Sequence, residues 1–157
     1  MKKVLVVTGG SRGIGAAVAR LAAQRGYAVG LSYRQEHKAS EAIVDEIIQA
    51  GGEAIAAAAD VSAEADVERF FKLIDDTLGP VTALVNNAGI VAPQTRVDQM
   101  NATRLSRVFA TNIMGSFLCA REAVRRMSTK YGGAGGAIVN ISSAAARLGS
   151  PHEYVDY

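Results

Sequence analysis

Cysteine is all but missing from this 157-residue sequence, where Cys119 stands alone. A single thiol excludes an internal disulfide framework and fits a reducing compartment. Long runs of one charge are missing as well. The 17 basic and 15 acidic residues are interspersed and leave a formal charge of +2, so no polybasic patch marks nucleic acid or membrane as a partner. Nor is there a long apolar run near the start. Met1-Lys2-Lys3 leads only into Val4 to Val7, too short for a signal-peptide core or a transmembrane span. The expected location is therefore cytoplasmic, with no metal, no nucleic acid and no membrane involved. What is present in quantity is apolar side chain, 49% of residues against 20% charged, which suits one soluble domain with a sizeable core and argues against disorder.

Short β-branched runs recur at Val4 to Val7, Ala28 to Tyr33, Ala54 to Ala58, Ala83 to Val85 and Ala137 to Ile141. Each is too short for a helix and is bounded by glycine or polar residues, so the pattern predicts five strands. Between them, apolar residues fall at helical spacing: Ala39, Ala42, Ile43 and Ile47; Val67, Phe70, Phe71, Ile74 and Leu78; Leu105, Val108, Phe109, Asn112, Ile113 and Phe117. Strands apolar on both faces, alternating with helices, imply right-handed βαβ units and a doubly wound α/β fold with a parallel sheet. Gly79-Pro80 and the run Gly132-Gly133-Ala134-Gly135-Gly136 precede strands and read as turns, so the chain is expected to be a single domain.

The first strand runs into Thr8-Gly9-Gly10-Ser11-Arg12-Gly13-Ile14-Gly15, followed by an alanine-rich helix, Ala16 to Gln24. This is the context of a dinucleotide-phosphate turn. Gly9 permits the tight turn, Gly13 lets the backbone approach a pyrophosphate, and Gly15 lets the helix pack close to the strand. The helix N-terminus then offers free N–H groups and the positive end of its dipole to the anion. Ser11, Arg12 and Ile14 join the three glycines as candidate cofactor contacts. The spacing G-x-x-x-G-x-G differs from the common G-x-G-x-x-G, and a ligand-free strand-to-helix turn would use the same residues.

The end of the second strand bears on which dinucleotide is taken. About 20 residues after the glycine turn, an acidic residue would bind a ribose 2′-hydroxyl, whereas arginine accommodates a 2′-phosphate. Here the chain reads Ser32-Tyr33-Arg34. Arg34 and, from the other side, Arg12 favour NADP(H); Glu36 leaves NAD(H) open, and both arginines would also suit a solvated surface.

Thr8-Gly9 with Gly13 and Gly15, then Asp60-Val61 after the third strand, then Asn86-Asn87-Ala88-Gly89 after the fourth, together resemble the short-chain dehydrogenase/reductase family over Val4 to Tyr157. The resemblance implies a Rossmann sheet of order 3-2-1-4-5, with the family's later strands missing. It implies that Asp60 meets the adenine, that Val61 packs near it, and that Asn87, Ala88 and Gly89 line the cofactor cleft. Asp60 would equally serve as a turn residue or helix N-cap, although Ser62 is better placed to cap the helix Ala63 to Leu78. Asn112 lies on the apolar face of a helix from about Asn101 to Met127 and should point at the sheet. In the family the matching asparagine holds a proton-relay water; a buried amide tying helix to strand is the other reading.

After the fifth strand, Ser142 and Ser143 stand at the C-terminal end of the sheet, and Ser143 is the better match to the family's catalytic serine. The family's tyrosine lies roughly a dozen residues later. Tyr157 is 14 residues on and Tyr154 is 11; the Tyr-Val-Asp-Tyr pattern favours Tyr157. In this reading Ser143 orients a carbonyl, Tyr157 passes the proton and Asn112 connects it to solvent. The family adds a lysine four residues after its tyrosine, then a further helix, two more strands and a substrate-covering lobe. The expectation is accordingly that residues 1–157 are a dinucleotide-binding domain cut before that lobe and belong to a longer polypeptide, a homodimer or homotetramer acting on a small carbonyl or alcohol. A dinucleotide-binding module without redox chemistry and a purely structural remnant are the other readings.

Overall fold

The computed structural model describes residues 2–149 and 156. Strands β1 (Lys3–Val7), β2 (Tyr27–Tyr33), β3 (Ala54–Ala58), β4 (Ala83–Asn86) and β5 (Ala137–Asn140) form one sheet in the order β3-β2-β1-β4-β5, the expected order, with every strand end within one residue of its expected place. All four ladders are parallel, so each strand must be followed by a crossover. Helices α1 (Gly13–Gln24), α2 (His37–Gln49) and α3 (Glu64–Thr77) supply the first three, and α4 (Ala102–Phe109) with α5 (Gly115–Met127) supplies the last. A short helix, α6 (Ala145–Leu148), follows β5.

Alternation along β1 explains why the strands read as apolar on both faces. Val4 and Val6 pack with Phe71, Ile74 and Leu84 on one side, while Leu5 and Val7 pack with Ala19, Leu31 and Ile43 on the other. Gly30 in mid-strand makes room for α3, since a Cβ there would stand 2.3 Å from Ile74 Cδ1. The chain steps from β1 outward to β2 and β3, then returns to place β4 on the other side of β1. That reversal opens a crevice over the C-terminal ends of β1 and β4, where ligands of such sheets bind.

Three local expectations are corrected. The single helix Asn101 to Met127 is two helices joined by a π turn, Ala110–Met114. The expected stripe does not lie on one buried face. Val108 is buried, whereas Phe109, Ile113 and Phe117 are exposed, Phe117 by 74%. Ser62 does not cap α3; the N-cap is Ala63, which makes no side-chain cap bond. Glu64 and Asp66 in the first turn of α3 complement its dipole instead.

Cys119 is buried in the α3/α5 core. Burial, with Glu122 nearby, pushes its thiol up to about 12. A thiol in that range is almost entirely protonated at neutral pH and is a poor nucleophile. A maleimide should therefore label Cys119 in denaturant and leave it unmodified in the native protein; fast native labelling detected by mass spectrometry would contradict this packing.

Candidate functional site

The crevice holds an open cleft of about 330 Å³. Its floor is the glycine turn, stitched to strands on both sides by side chains buried beneath it. Thr8 Oγ1 accepts from the Asn87 and Ala88 N–H groups at 3.0 Å each and donates to the Val85 carbonyl at 3.5 Å. Asn87 Nδ2 donates in return to the carbonyls of Thr8 and Gly9, both at 2.9 Å. On the other side Ser32 Oγ accepts from Gly9 N–H at 3.2 Å, and the Ser32 carbonyl accepts from Gly10 N–H at 3.0 Å. The turn is thus held rigid before any ligand arrives, which spares a bound phosphate the entropy of ordering it. Sequence reasoning missed Ser32 and the hydroxyl role of Thr8. The only signal was a hydroxyl at the end of each otherwise apolar strand.

Gly9 and Gly13 adopt positive φ, 63° and 55°, the left-handed region open to glycine. Gly13 faces open space, with nothing within 4 Å of where its Cβ would be. Gly15 is the tightest point: a Cβ there would lie 2.5 Å from both Gly9 O and Asn87 Nδ2. The close approach is therefore to the turn and to Asn87 rather than to the strand itself. No side chain caps α1 and its first turn has no carboxylate, so the leading N–H groups and the dipole are left for an anion. Gly9, Ser11 and Arg12 line the cleft; Gly13, Ile14 and Gly15 do not.

Arg34 and Asp60 both line the cleft and meet across it, Nε to Oδ2 at 3.1 Å. Asp60 Oδ1 also accepts from the backbone N–H and hydroxyl of Ser62, at 3.0 and 2.6 Å. Asp66 Oδ2 accepts from Asp60 N–H at 3.0 Å. Ser62 therefore serves the Asp60 turn instead of the helix. The Asp66 carboxyl is held below its usual range by the Asp60 N–H and by Arg69. Val61, Asn87, Ala88 and Gly89 complete the expected lining, joined by Glu36 beside Arg34. Among the described residues Arg12 has no ion-pair partner.

Asn112 does not reach the sheet. It sits in the π turn and grips the loop after β4, accepting from Ile90 N–H at 2.8 Å through Oδ1 and donating to the Ile90 carbonyl at 2.9 Å through Nδ2. The π turn brings that amide into register with one residue's two backbone groups. Gly115, just beyond it, allows α5 to approach Val61, since a Cβ there would lie 2.7 Å from Val61 Cγ2. Ser143 stands after β5, half-buried, with Oγ accepting from Ala145 N–H at 3.1 Å. Tyr154 and Tyr157 lie outside the described residues. No helix among the described residues is long and apolar enough to cross a membrane.

The model of the short chain dehydrogenase family matches residues 3–155. The uncharacterized oxidoreductase YgfF of Escherichia coli (strain K12) is 54% identical over 154 residues, which cover 98% of this chain and 62% of that protein. A 3-oxoacyl-[acyl-carrier-protein] reductase of Synechocystis is 40% identical over 149 residues, covering 95% of this chain and 59% of that one. Among solved structures, a dehydrogenase/reductase from Sinorhizobium meliloti 1021 superposes with a TM-score of 0.90 at 35% identity, over 99% of this chain and 59% of its own. The chain spans about three-fifths of the length of these relatives. With its 3-2-1-4-5 sheet, its glycine turn over the switch point and this match along nearly its whole length, the chain belongs to the short-chain dehydrogenase family.

Proposed function

We propose that residues 1–157 are the cofactor-binding part of a longer, cytoplasmic, NADP(H)-dependent oxidoreductase that interconverts a carbonyl and a secondary alcohol. The observation that carries the reading is the cleft at the switch point, lined both by Arg12, the N-cap of α1, whose first turn has no side-chain cap, and by Arg34. The residues fit a dinucleotide phosphate: a pre-set glycine turn, free helix N–H groups and open space at Gly13. Gly9, Ser11, Gly13, Ile14 and Gly15 are assigned to the pyrophosphate turn. Asp60 and Val61 are assigned to the adenine side, and Asn87, Ala88 and Gly89 to the inner wall. Arg34 would exchange its contact with Asp60 for the 2′-phosphate, a stronger partner for a guanidinium.

A bound nicotinamide supplies the hydride. Ser143 holds the carbonyl oxygen; its own oxygen is already accepting from Ala145 N–H, so the hydroxyl proton is free to donate. Tyr157 moves the proton to the developing alkoxide. Asn112 fixes the Ile90 backbone at the edge of the cleft and so shapes the route to solvent. The exposed Phe109, Ile113 and Phe117 on the α4–α5 side suit packing against a second copy in a homodimer or homotetramer.

Fluorescence titration tests the cofactor. NADPH should bind more tightly than NADH, and Arg34→Ala should weaken NADPH by about tenfold, one charge-assisted hydrogen bond of ~1.5 kcal/mol, without affecting NADH. NADH binding preferred by the parent, with Arg34→Ala silent, would overturn the phosphate assignment. Carbonyl reduction assayed in the longer polypeptide tests the chemistry; tight NADPH binding without turnover on ketones or aldehydes would select a dinucleotide-binding module.

A further inference from the structure

Asp60 commits its carbonyl, its N–H and one carboxylate oxygen to residues outside the cleft lining and presents only the other oxygen to the cleft. The carbonyl accepts from Ala63 N–H at 2.9 Å, and the N–H donates to Asp66 Oδ2 at 3.0 Å. Oδ1 accepts from the N–H and hydroxyl of Ser62 at 3.0 and 2.6 Å. Oδ2 is left for the ligand side, where it meets Arg34 Nε at 3.1 Å.

Among these tethers Asp66 is the one that departs from local habit. It stands in the first turn of α3, three residues after the N-cap Ala63, where an acidic side chain ordinarily reaches back to the N–H of the capping residue itself. Ala63 N–H goes to the Asp60 carbonyl instead, and Asp66 reaches six residues back, to the Asp60 N–H. The helix has no side-chain cap, and the group suited to close its N-terminus is held against the backbone of a cleft residue. Arg69 aims that group: Nη2 donates to Asp66 Oδ1 at 2.8 Å and leaves Oδ2 for Asp60. The Ser62 contacts fix the Asp60 carboxylate only within its own turn. Asp66 ties that turn to a helix anchored in the core through Val67, Phe70 and Phe71.

We propose that Asp66 is a positioning residue for adenine recognition: by holding the Asp60 N–H it sets where Asp60 Oδ2 stands, and that oxygen accepts the 6-amino group of adenine once Arg34 has turned to the 2′-phosphate. The inference rests on the assignment of Asp60 to the adenine side of the cleft. A carboxylate can only accept, so it takes the amino donor of adenine and gains nothing from the 6-oxygen of hypoxanthine, another acceptor. Such discrimination depends on placement, because a hydrogen bond weakens as its angle departs from linear. Asp66 touches no part of the cofactor in this role; it acts through Asp60.

The probes are NADPH and its hypoxanthine analogue, which differ in the purine alone, titrated by fluorescence against the longer polypeptide and its variants below their melting temperatures. The ratio of the two Kd values cancels changes at the phosphates and the glycine turn and reports recognition at the purine. The parent should bind NADPH about tenfold more tightly than the analogue, the difference of one charge-assisted hydrogen bond. Asp60→Ala should bring the ratio to about one and Asp66→Ala to about three or less, and Asp66→Ala should add nothing in the Asp60→Ala background, because both break the same link. Asp66→Ser, too short to reach the Asp60 N–H yet well suited to a helix start, repeats the test should the alanine variant not fold. Asp66→Asn keeps an oxygen for that N–H and should restore most of the ratio. Glu64→Ala removes a carboxylate from the same turn of α3 without touching Asp60 and should leave the ratio unchanged. A parent-like ratio in Asp66→Ala or Asp66→Ser, with only the melting temperature lowered, would overturn the positioning role and leave Asp66 a structural residue. An equal fall in Glu64→Ala would assign the effect to the helix terminus as a whole and overturn it as well. A ratio of one in the parent, or a ratio that survives Asp60→Ala, would overturn the adenine assignment and this role with it.

Discussion

Substituting Tyr157→Phe in the catalytically competent polypeptide is expected to lower kcat about a thousandfold, the scale of general acid–base catalysis, and to leave NADPH affinity unchanged. The change removes one ionisable hydroxyl and keeps the ring, and the dinucleotide contacts assigned above lie on other elements. A phenol has a pKa of about 10; acting as a base near neutral pH needs a drop of roughly 3 units, or about 4 kcal/mol of differential stabilisation. That requires a nearby cation. In the proposed reading Arg12 and Arg34 serve the phosphate end of the cleft, and Lys130 stands over the Tyr131 ring at 5.5 Å in the turn before β5, at the opposite end of that strand from Ser143. The family's lysine four residues beyond the tyrosine fits the need. Carbonyl reduction uses the protonated tyrosine, so its kcat should fall as pH rises through the tyrosine's pKa, and alcohol oxidation should show the reverse. Both dependences should vanish in Tyr157→Phe; their persistence would move the role to Tyr154.

The parts of this molecule that could be read from sequence are those whose cause is local. Val4 to Val7 is too short to be a helix and apolar at every position, so it is a buried strand, and the four other short runs follow the same logic. Gly9 and Gly13 announce their turn because only glycine takes the positive φ found there. What could not be read depends on residues far apart in sequence. Thr8 finds Asn87 at a separation of 79, Ser32 finds Gly9 at 23, and Arg104 finds Asp156 at 52. Arg34 and Asp60 were each assigned a partner on the cofactor, and nothing local indicated that they pair with each other. The π turn escaped for a different reason. Apolar spacing reports which side chains avoid water, and Phe109, Ile113 and Phe117 carry that signal while standing exposed on this chain.

Gly15→Ala separates a local account of the glycine turn from a tertiary one by the sign of its effect. Helix propensity alone favours alanine over glycine by about 1 kcal/mol, so a freely placed α1 would be stabilised by the change. Here the new methyl would stand 2.5 Å from Gly9 O and from Asn87 Nδ2, and 3.0 Å from Gly10 Cα. Two of those neighbours are backbone and cannot rotate away. Relief requires α1 to back off from the turn or Asn87 to give up its bonds to the Thr8 and Gly9 carbonyls, and overpacking of this kind costs about 3 kcal/mol. Gly13→Ala meets no atom within 4 Å, so its penalty is the left-handed backbone alone, about 1–2 kcal/mol. Thermal melts without dinucleotide should therefore place Gly15→Ala below Gly13→Ala and both below the parent. The two should also differ in binding. Gly15→Ala displaces the turn that carries the free N–H groups, so its NADPH affinity should fall more than tenfold, the loss of at least one charge-assisted hydrogen bond. A Gly15→Ala protein melting at or above the parent would mean that α1 does not approach the turn as closely as Gly15 allows, and the close packing of α1 on the turn and Asn87 would have to be abandoned.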